Sequence, residues 1–312
     1  MRIVAEHLSY TYNERSPFET AALHDVTLTI EEGEFFGIIG HTGSGKSTFV
    51  QHLNGLIRLP SSLKHAKKRK AKKGQPLPPA PVLKVGDFDL SDKKTDFRAL
   101  RRRVGMVFQY PEYQLFAETV RDDVAFGLKN FSEQKLTEEE IDCAVRAALE
   151  VVGLDFDELK DQSPFELSGG QKRRVAIAGV IVSRPEILIL DEPAAGLDPL
   201  GKKEILELLH RLHREWCRTV VIVSHDMDEI SENCTRAAVF SEGTVKYVLP
   251  PRELFRRTEE LTALGLDVPL TAKLCAALKA RGITIDCDFT TEDFADKVLA
   301  YAASHPKREG DA

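Results

Sequence analysis

Residues Gly40-His41-Thr42-Gly43-Ser44-Gly45-Lys46-Ser47 form a glycine-punctuated loop that ends in a lysine and a hydroxyl. The apolar run Phe35-Phe36-Gly37-Ile38-Ile39 leads into it, and Thr48-Phe49-Val50-Gln51-His52-Leu53 leads out at helical spacing. Strand, loop and helix in that order make a phosphate cradle. The glycines let backbone N–H groups turn inward, and the positive end of the helix dipole faces the same anion. Lys46 is placed to reach the β- and γ-phosphates, Ser47 to ligate Mg²⁺, and Thr48 follows at the first turn. A glycine-rich turn without those flanks would carry no such meaning. With them, the chain binds a nucleoside triphosphate.

A second strand, this one ending in carboxylates, follows. Ile187-Leu188-Ile189-Leu190 is uninterrupted apolar sequence ending in Asp191-Glu192. Open α/β sheets collect their ligand chemistry at the carboxyl ends of such strands. Asp191 fits the Mg²⁺ shell, and Glu192 fits the role of polarising an attacking water. Upstream, Leu167-Ser168-Gly169-Gly170-Gln171 precedes a helix expected over 172–181, which makes a second anion site of a hydroxyl and free N–H groups. One nucleotide has no use for two such sites unless the chain pairs with another.

Composition limits the class. The chain has 312 residues, 42% hydrophobic and 29% charged, enough for one large α/β domain and a smaller appendage. No apolar run reaches the length of a membrane span. The charged N-terminus, Met1-Arg2-Ile3-Val4-Ala5-Glu6, argues against export. The five cysteines lack Cys-x-x-Cys spacing, which favours reduced thiols over a disulfide framework or zinc site. The net charge of −6 hides a cluster, Lys64, Lys67, Lys68, Arg69, Lys70, Lys72 and Lys73, without which the rest stands at −13. That acidic body repels nucleic acid, so no nucleic-acid partner is expected. The cluster lies in a Pro/Lys-rich insertion near 60–81, expected to be a solvated loop, with contact to anionic lipid headgroups as the sharper alternative.

Alternating sequence over 3–12 and 23–30 reads as strands, as do 82–85 and 104–108. Residues 111–183 are mostly helical in period, with a capping box opening at Thr137. Val220-Val221-Ile222-Val223 is another strand buried on both faces. Beyond Pro250-Pro251 the period is helical, interrupted by Gly265, Gly282 and the short piece Ile283-Thr284-Ile285.

The ordered set of the phosphate loop, Gln109, Leu167–Gln171, Asp191-Glu192, Gly196-Leu197-Asp198 and His225 resembles the nucleotide-binding subunit of ATP-binding cassette (ABC) transporters, over about 250 residues. The resemblance implies two cassettes packed head-to-tail. Each ATP is then enclosed by one phosphate loop and by Ser168 and Gly170 of the other cassette. It gives Gln109 to the Mg²⁺ shell and to communication with the helical subdomain, Asp198 to the D-loop, and His225 to the γ-phosphate as switch histidine. Adenine stacks on Tyr12, with Tyr10 as the other candidate.

Phe108-Gln109-Tyr110-Pro111-Glu112-Tyr113-Gln114-Leu115-Phe116, with Asp122-Asp123-Val124-Ala125-Phe126-Gly127, is similar to the ATPase of energy-coupling factor (ECF) importers of vitamins or transition-metal ions. So are Ser163-Pro164-Phe165-Glu166, Arg173-Arg174-Val175-Ala176 and Gly265-Leu266-Asp267-Val268-Pro269. Ala194 departs from the usual threonine, and the basic insertion is not a feature of that family.

The implied fold is α/β, a P-loop NTPase. A RecA-like core carries a small antiparallel N-terminal sheet and a helical subdomain over about 111–183, with a nucleotide-binding domain over 1–250 and a C-terminal extension over 251–312 that serves dimerisation. The implied function is ATP hydrolysis driving import at the cytoplasmic face of the cell membrane. The implied partners are a second cassette, a transmembrane coupling subunit and a membrane substrate-binding subunit. Glu118, Asp122 and Asp123 are the expected contact with the membrane subunit. The alternatives are the ATPase of another importer or exporter, a soluble cassette acting on ribosomes or DNA, and a regulatory module that holds ATP without hydrolysing it. Glu192 and His225 speak against the last.

Overall fold

The computed structural model describes residues 1–14, 16–59, 80–132 and 134–305. The basic cluster at 64–73 lies outside the described residues. The chain opens with β1 (Ile3–Tyr12), β2 (Thr20–Ile30), β3 (Phe35–Ile39) and α1 (Lys46–Leu53). After the insertion come β4 (Val82–Val85), β5 (Phe88–Asp89), α2 (Phe97–Arg103) and β6 (Val104–Val107). The helical region holds α3 (Val120–Phe131), α4 (Glu138–Val151), α5 (Phe156–Leu159) and α6 (Gly169–Ile181). Then follow β7 (Ile187–Asp191), α7 (Pro199–Glu215), β8 (Thr219–Val223), α8 (Met227–Asn233), β9 (Arg236–Ser241) and β10 (Thr244–Leu249). The extension contributes α9 (Pro251–Phe255), α10 (Thr258–Ala263), α11 (Leu270–Lys279) and α12 (Thr291–Ser304).

Two sheets result. One is antiparallel, in the order β2-β1-β4-β5, and the other runs β10-β9-β3-β8-β7-β6 with only β10 antiparallel. The apolar runs of the core strands are explained by alternation. Phe35, Leu188, Leu190, Val220 and Ile222 join the cluster under the helices, while Phe36, Ile187, Ile189, Val221 and Val223 join the cluster facing α1 and the N-terminal sheet. A strand sandwiched this way has no polar face, so period 2 is invisible in its sequence.

The helical region forms as its caps dictate. Thr137 and Glu140 exchange the reciprocal bonds of a capping box at the start of α4. Another capping box, Ser168 with Gln171, starts α6 at Gly169, three residues before the expected position. Two weak helix formers, Gly169 and Gly170, hide that start in the sequence. Leu254, Phe255, Leu261, Leu266 and Phe289 of the extension belong to the same buried cluster as the core strands. The extension therefore shares a core with the nucleotide-binding region. Residues 283–285 form no strand; Ile285 packs against that cluster from a loop.

Candidate active site

Register brings the chemistry together. Ile38 pairs with Val223, Asp191 with Val223, and Val107 with Leu190, so β3, β8, β7 and β6 end side by side. The residues just beyond those ends, Gly40, His225, Glu192 and Gln109, line one cleft of about 780 Å³ with Tyr12, the whole phosphate loop, Thr48 and Asp191.

The loop is built for close approach. A Cβ on Gly40 would sit 2.4 Å from the Phe240 carbonyl oxygen, and one on Gly45 2.6 Å from that of Ala22, with both glycines at positive φ. Gly45 ends the loop in the left-handed region with no side-chain cap, so the first N–H groups of α1 keep no intrahelical partner. Those donors suit phosphate oxygens. The Ser44 hydroxyl is buried with no hydrogen-bond partner, a further polar atom awaiting one. The Lys46 Nζ donates to the carbonyls of Gly40 at 2.6 Å and His41 at 3.0 Å, folded over the loop. Burial lowers its pKa, while Glu192 and Asp191 pull it back up.

Asp191 is buried, and that burial raises its pKa against the opposing effects of the Ser47 hydroxyl and Lys46. Its carboxylate with the Ser47 hydroxyl and the Gln109 amide form an oxygen-rich set. That chemistry fits a hard divalent cation sharing its shell with phosphates and water, such as Mg²⁺. Glu192 occupies the left-handed region at φ 54°, rare for a residue with a side chain, and is fixed there by its N–H donating to Val223 O at 2.9 Å. Its Oε2 accepts from His225 Nδ1 at 2.6 Å. The histidine side chain is 73% exposed and the glutamate 15%.

Tyr12 lines the cleft, its hydroxyl 3.2 Å from Thr48 Oγ1. Tyr10 instead stacks edge-on against the buried His52. Leu167–Gln171 do not line this cleft. In this chain Ser168 caps α6, and a Cβ added at Gly169 or Gly170 would meet nothing within 4 Å, so their upper face is open. Asp198 caps α7 through Gly201 N–H at 2.8 Å and remains exposed.

Of the three carboxylates expected at the membrane contact, Asp123 does not face outward. Asp123 is only 7% exposed, and its Oδ2 accepts the N–H groups of Phe116 and Ala117 at 2.8 and 2.9 Å. It holds the turn after Gln109 from inside and presents no carboxylate outward. Asp122 pairs with Lys129 at 2.9 Å, which lowers its pKa, and Glu118 is exposed. Beside them the surface offers an apolar pair: Phe116 and Phe126 pack edge-on, 58% and 46% exposed, over a cleft of about 310 Å³.

Arg173 was not legible as a functional group. It is 4% exposed, and its guanidinium donates to the carbonyls of Pro193 and Ala195 and reaches Glu112 at 3.4 Å. It ties the helix after the signature to the loop after Glu192 and to the turn after Gln109. Its place in the phrase Arg173-Arg174-Val175-Ala176, just after the signature, was the signal for it.

A phosphate cradle, a carboxylate pair and an adjacent histidine at the ends of parallel strands define a nucleotide-hydrolysing P-loop ATPase. Residues 23–195 match the ABC transporter family, and the chain belongs to it. It is 49% identical to the energy-coupling factor transporter ATP-binding protein EcfA2 of Symbiobacterium thermophilum, over 95% of this chain and 94% of that one. It is 45% identical to the EcfA2 protein of Caldanaerobacter subterraneus, over 96% and 98%. Among solved structures, cbiO1 of Clostridium perfringens, part of the ABC transporter complex cbiONQ, superposes with a TM-score of 0.66 at 35% identity, over 87% of this chain and 97% of that one. The cassette MJ0796, a dimer in a post-hydrolysis state with ADP and Pi, gives 0.65 at 27% identity, over 80% and 99%.

Proposed function

We propose that this chain is the ATP-binding and ATP-hydrolysing subunit of an energy-coupling factor importer, driving uptake of a vitamin or transition-metal ion through membrane partners. The observation that carries the reading is the single cleft containing Lys46, Asp191, Glu192, Gln109 and His225. Lys46 and the α1 N–H groups hold the β- and γ-phosphates, and Tyr12 offers its ring to the adenine. Ser47, Asp191 and Gln109 would hold Mg²⁺, which when bound would neutralise phosphate charge. Glu192 accepts a hydrogen bond from the attacking water and orients it in line with the γ-phosphate, and His225 steadies Glu192 while facing the same phosphate.

The open signature glycines support a second cassette, identical or paralogous, covering the cleft with its own Ser168 and Gly170. Leu270 and Leu274 on α11 and Leu299 on α12 are exposed apolar side chains on the extension, and they support a further contact between cassettes. A transmembrane coupling subunit docks at Phe116 and Phe126, within reach of the turn after Gln109, with Glu118 beside it. A membrane substrate-binding subunit completes the importer. No helix among the described residues is long and apolar enough to cross a membrane, in keeping with a peripheral subunit at the cytoplasmic face.

The test is Mg²⁺-dependent ATP hydrolysis by the purified chain, with Lys46→Ala as control. Binding of a fluorescent ATP analogue should be lost in that variant, because the phosphates face the loop without their main cation. Unchanged affinity would refute the cradle.

A further inference from the structure

The helix α8 begins two residues after His225, and the C-terminal extension grips it along its length. Leu270 N–H donates to Asp228 Oδ1 at 2.9 Å, and Thr291 N–H donates to Glu232 Oε1 at 2.6 Å. Between them the Phe289 carbonyl accepts from Ser231 Oγ at 2.9 Å and from Thr271 Oγ1 at 2.6 Å, both hydroxyls being buried. Phe289 itself is held at φ 70°, a conformation that a phenylalanine keeps only when its surroundings enforce it.

The other face of α8 holds the backbone around His225. Glu229 is buried and accepts from Ser224 Oγ at 2.7 Å, and the same Ser224 oxygen accepts Asp226 N–H at 3.1 Å. Asp226 in turn caps α8 through Glu229 N–H at 3.0 Å and forms an ion pair with Lys202 of α7. Both neighbours of the histidine are therefore fixed by α8 and the groups it carries. The extension also reaches the cleft itself, where Gly265, Leu266 and Asp267 line the wall with Met227 and His225.

We infer that the C-terminal extension is a positioning element for His225, with Ser231 and Thr271 as positioning residues that act through the Phe289 carbonyl. Hydrolysis then depends on this clamp while the grip on nucleotide does not. The phosphate loop takes its support from β3 and α1, whereas the histidine takes its support from a helix that the extension clamps. A shift of α8 moves His225 relative to Glu192, and small displacements of a group that works at hydrogen-bond distance reduce turnover steeply. The inference rests on the reading of His225 as the switch group, and the experiment separates the two.

In the full-length chain, Ser231→Ala combined with Thr271→Val removes both donors to Phe289. Turnover should fall about ten-fold, with the affinity for a fluorescent ATP analogue unchanged. Thr271→Ser, which keeps the hydroxyl, should leave turnover at the parent rate in a chain with Ser231 intact. In a His225→Ala background the paired change should cause no further loss, because its effect runs through the histidine. A full ten-fold loss in that background overturns the inference, as does unchanged turnover or an equal loss of affinity. His225→Ala with normal turnover removes the switch reading itself, and the inference with it. Should the paired variant fail to fold, Glu232→Ala and Asp228→Ala cut the two other clamps from the surface and carry the same expectations.

Discussion

His225 Nδ1 lies 2.6 Å from Glu192 Oε2, a contact between residues 33 positions apart that end adjacent parallel strands. The pair is asymmetric. The carboxylate is largely sheltered on a left-handed backbone, while the imidazole stands mostly in solvent. A sheltered carboxylate with fixed backbone suits orientation of water, and an exposed ring suits a group that moves when the cleft is covered.

Glu192→Gln keeps the shape and one acceptor but removes the charge that polarises water. Turnover should fall about 100-fold or more while ATP analogue binding stays intact. Because binding persists without hydrolysis, the variant should also accumulate as a closed dimer with ATP, read by sedimentation. Near-normal turnover would remove Glu192 from its role.

His52, on the buried face of α1, gives a pH signature. Its Nδ1 donates to Ile57 O at 2.9 Å, and burial lowers its pKa from 6.5 to about 4. Folded protein keeps the ring neutral where an unfolded chain takes up a proton. Stability is thus fully present above pH 6.5, declines as pH falls from there, and levels off below about 4. The span amounts to about 3 kcal/mol. Urea titrations between pH 7.5 and 4 should show that His52→Asn loses correspondingly less stability than the parent chain. Parallel curves would mean that the ring is protonated in the fold.

Much of this architecture was legible because its signals are local. The phosphate loop declares itself in eight consecutive residues, and the cap at Thr137 needs only four. The strands β7 and β8 were legible as doubly buried, though nothing in them says which residue faces which layer. Asp123 misled because an acidic residue at a helix start normally lies in solvent. Only the tertiary turn at Phe116 and Ala117 makes its carboxylate an internal anchor. Arg173 and the grip of Phe289 on α8 depend on contacts 20 or more positions apart, up to 61, which no local pattern encodes.

The exposed leucines of the extension set a dimer test. Truncation after residue 250 would remove Leu254, Phe255 and Leu261 from the core and so report on folding instead of association. Leu270→Ser, Leu274→Ser and Leu299→Ser together leave that core intact. They should weaken nucleotide-free association by about ten-fold, since each loses on the order of 1–2 kcal/mol of apolar burial and only part of that is realised at a partly covered surface. An unchanged sedimentation profile would place the contact elsewhere.

The last prediction separates two kinds of residue beside Gln109. Phe116 and Phe126 face outward, whereas Asp123 faces inward and holds two backbone N–H groups. Strain created when nucleotide engages Gln109 has a short path through this turn, which makes the phenylalanine pair the natural place to pass it to a membrane subunit. Phe116→Ser with Phe126→Ser should therefore leave hydrolysis by the isolated chain near normal, because neither ring touches the nucleotide cleft. The same change should abolish co-purification with the membrane subunits or uncouple uptake from hydrolysis in the reconstituted complex. Asp123→Ala should behave differently. It strands two N–H donors in a buried turn, for a loss of about 2–3 kcal/mol in stability, and should disturb the isolated chain as well. Intact assembly and uptake in the double phenylalanine variant would show that the coupling subunit docks on another surface. Normal stability of Asp123→Ala would show that the turn does not depend on this carboxylate.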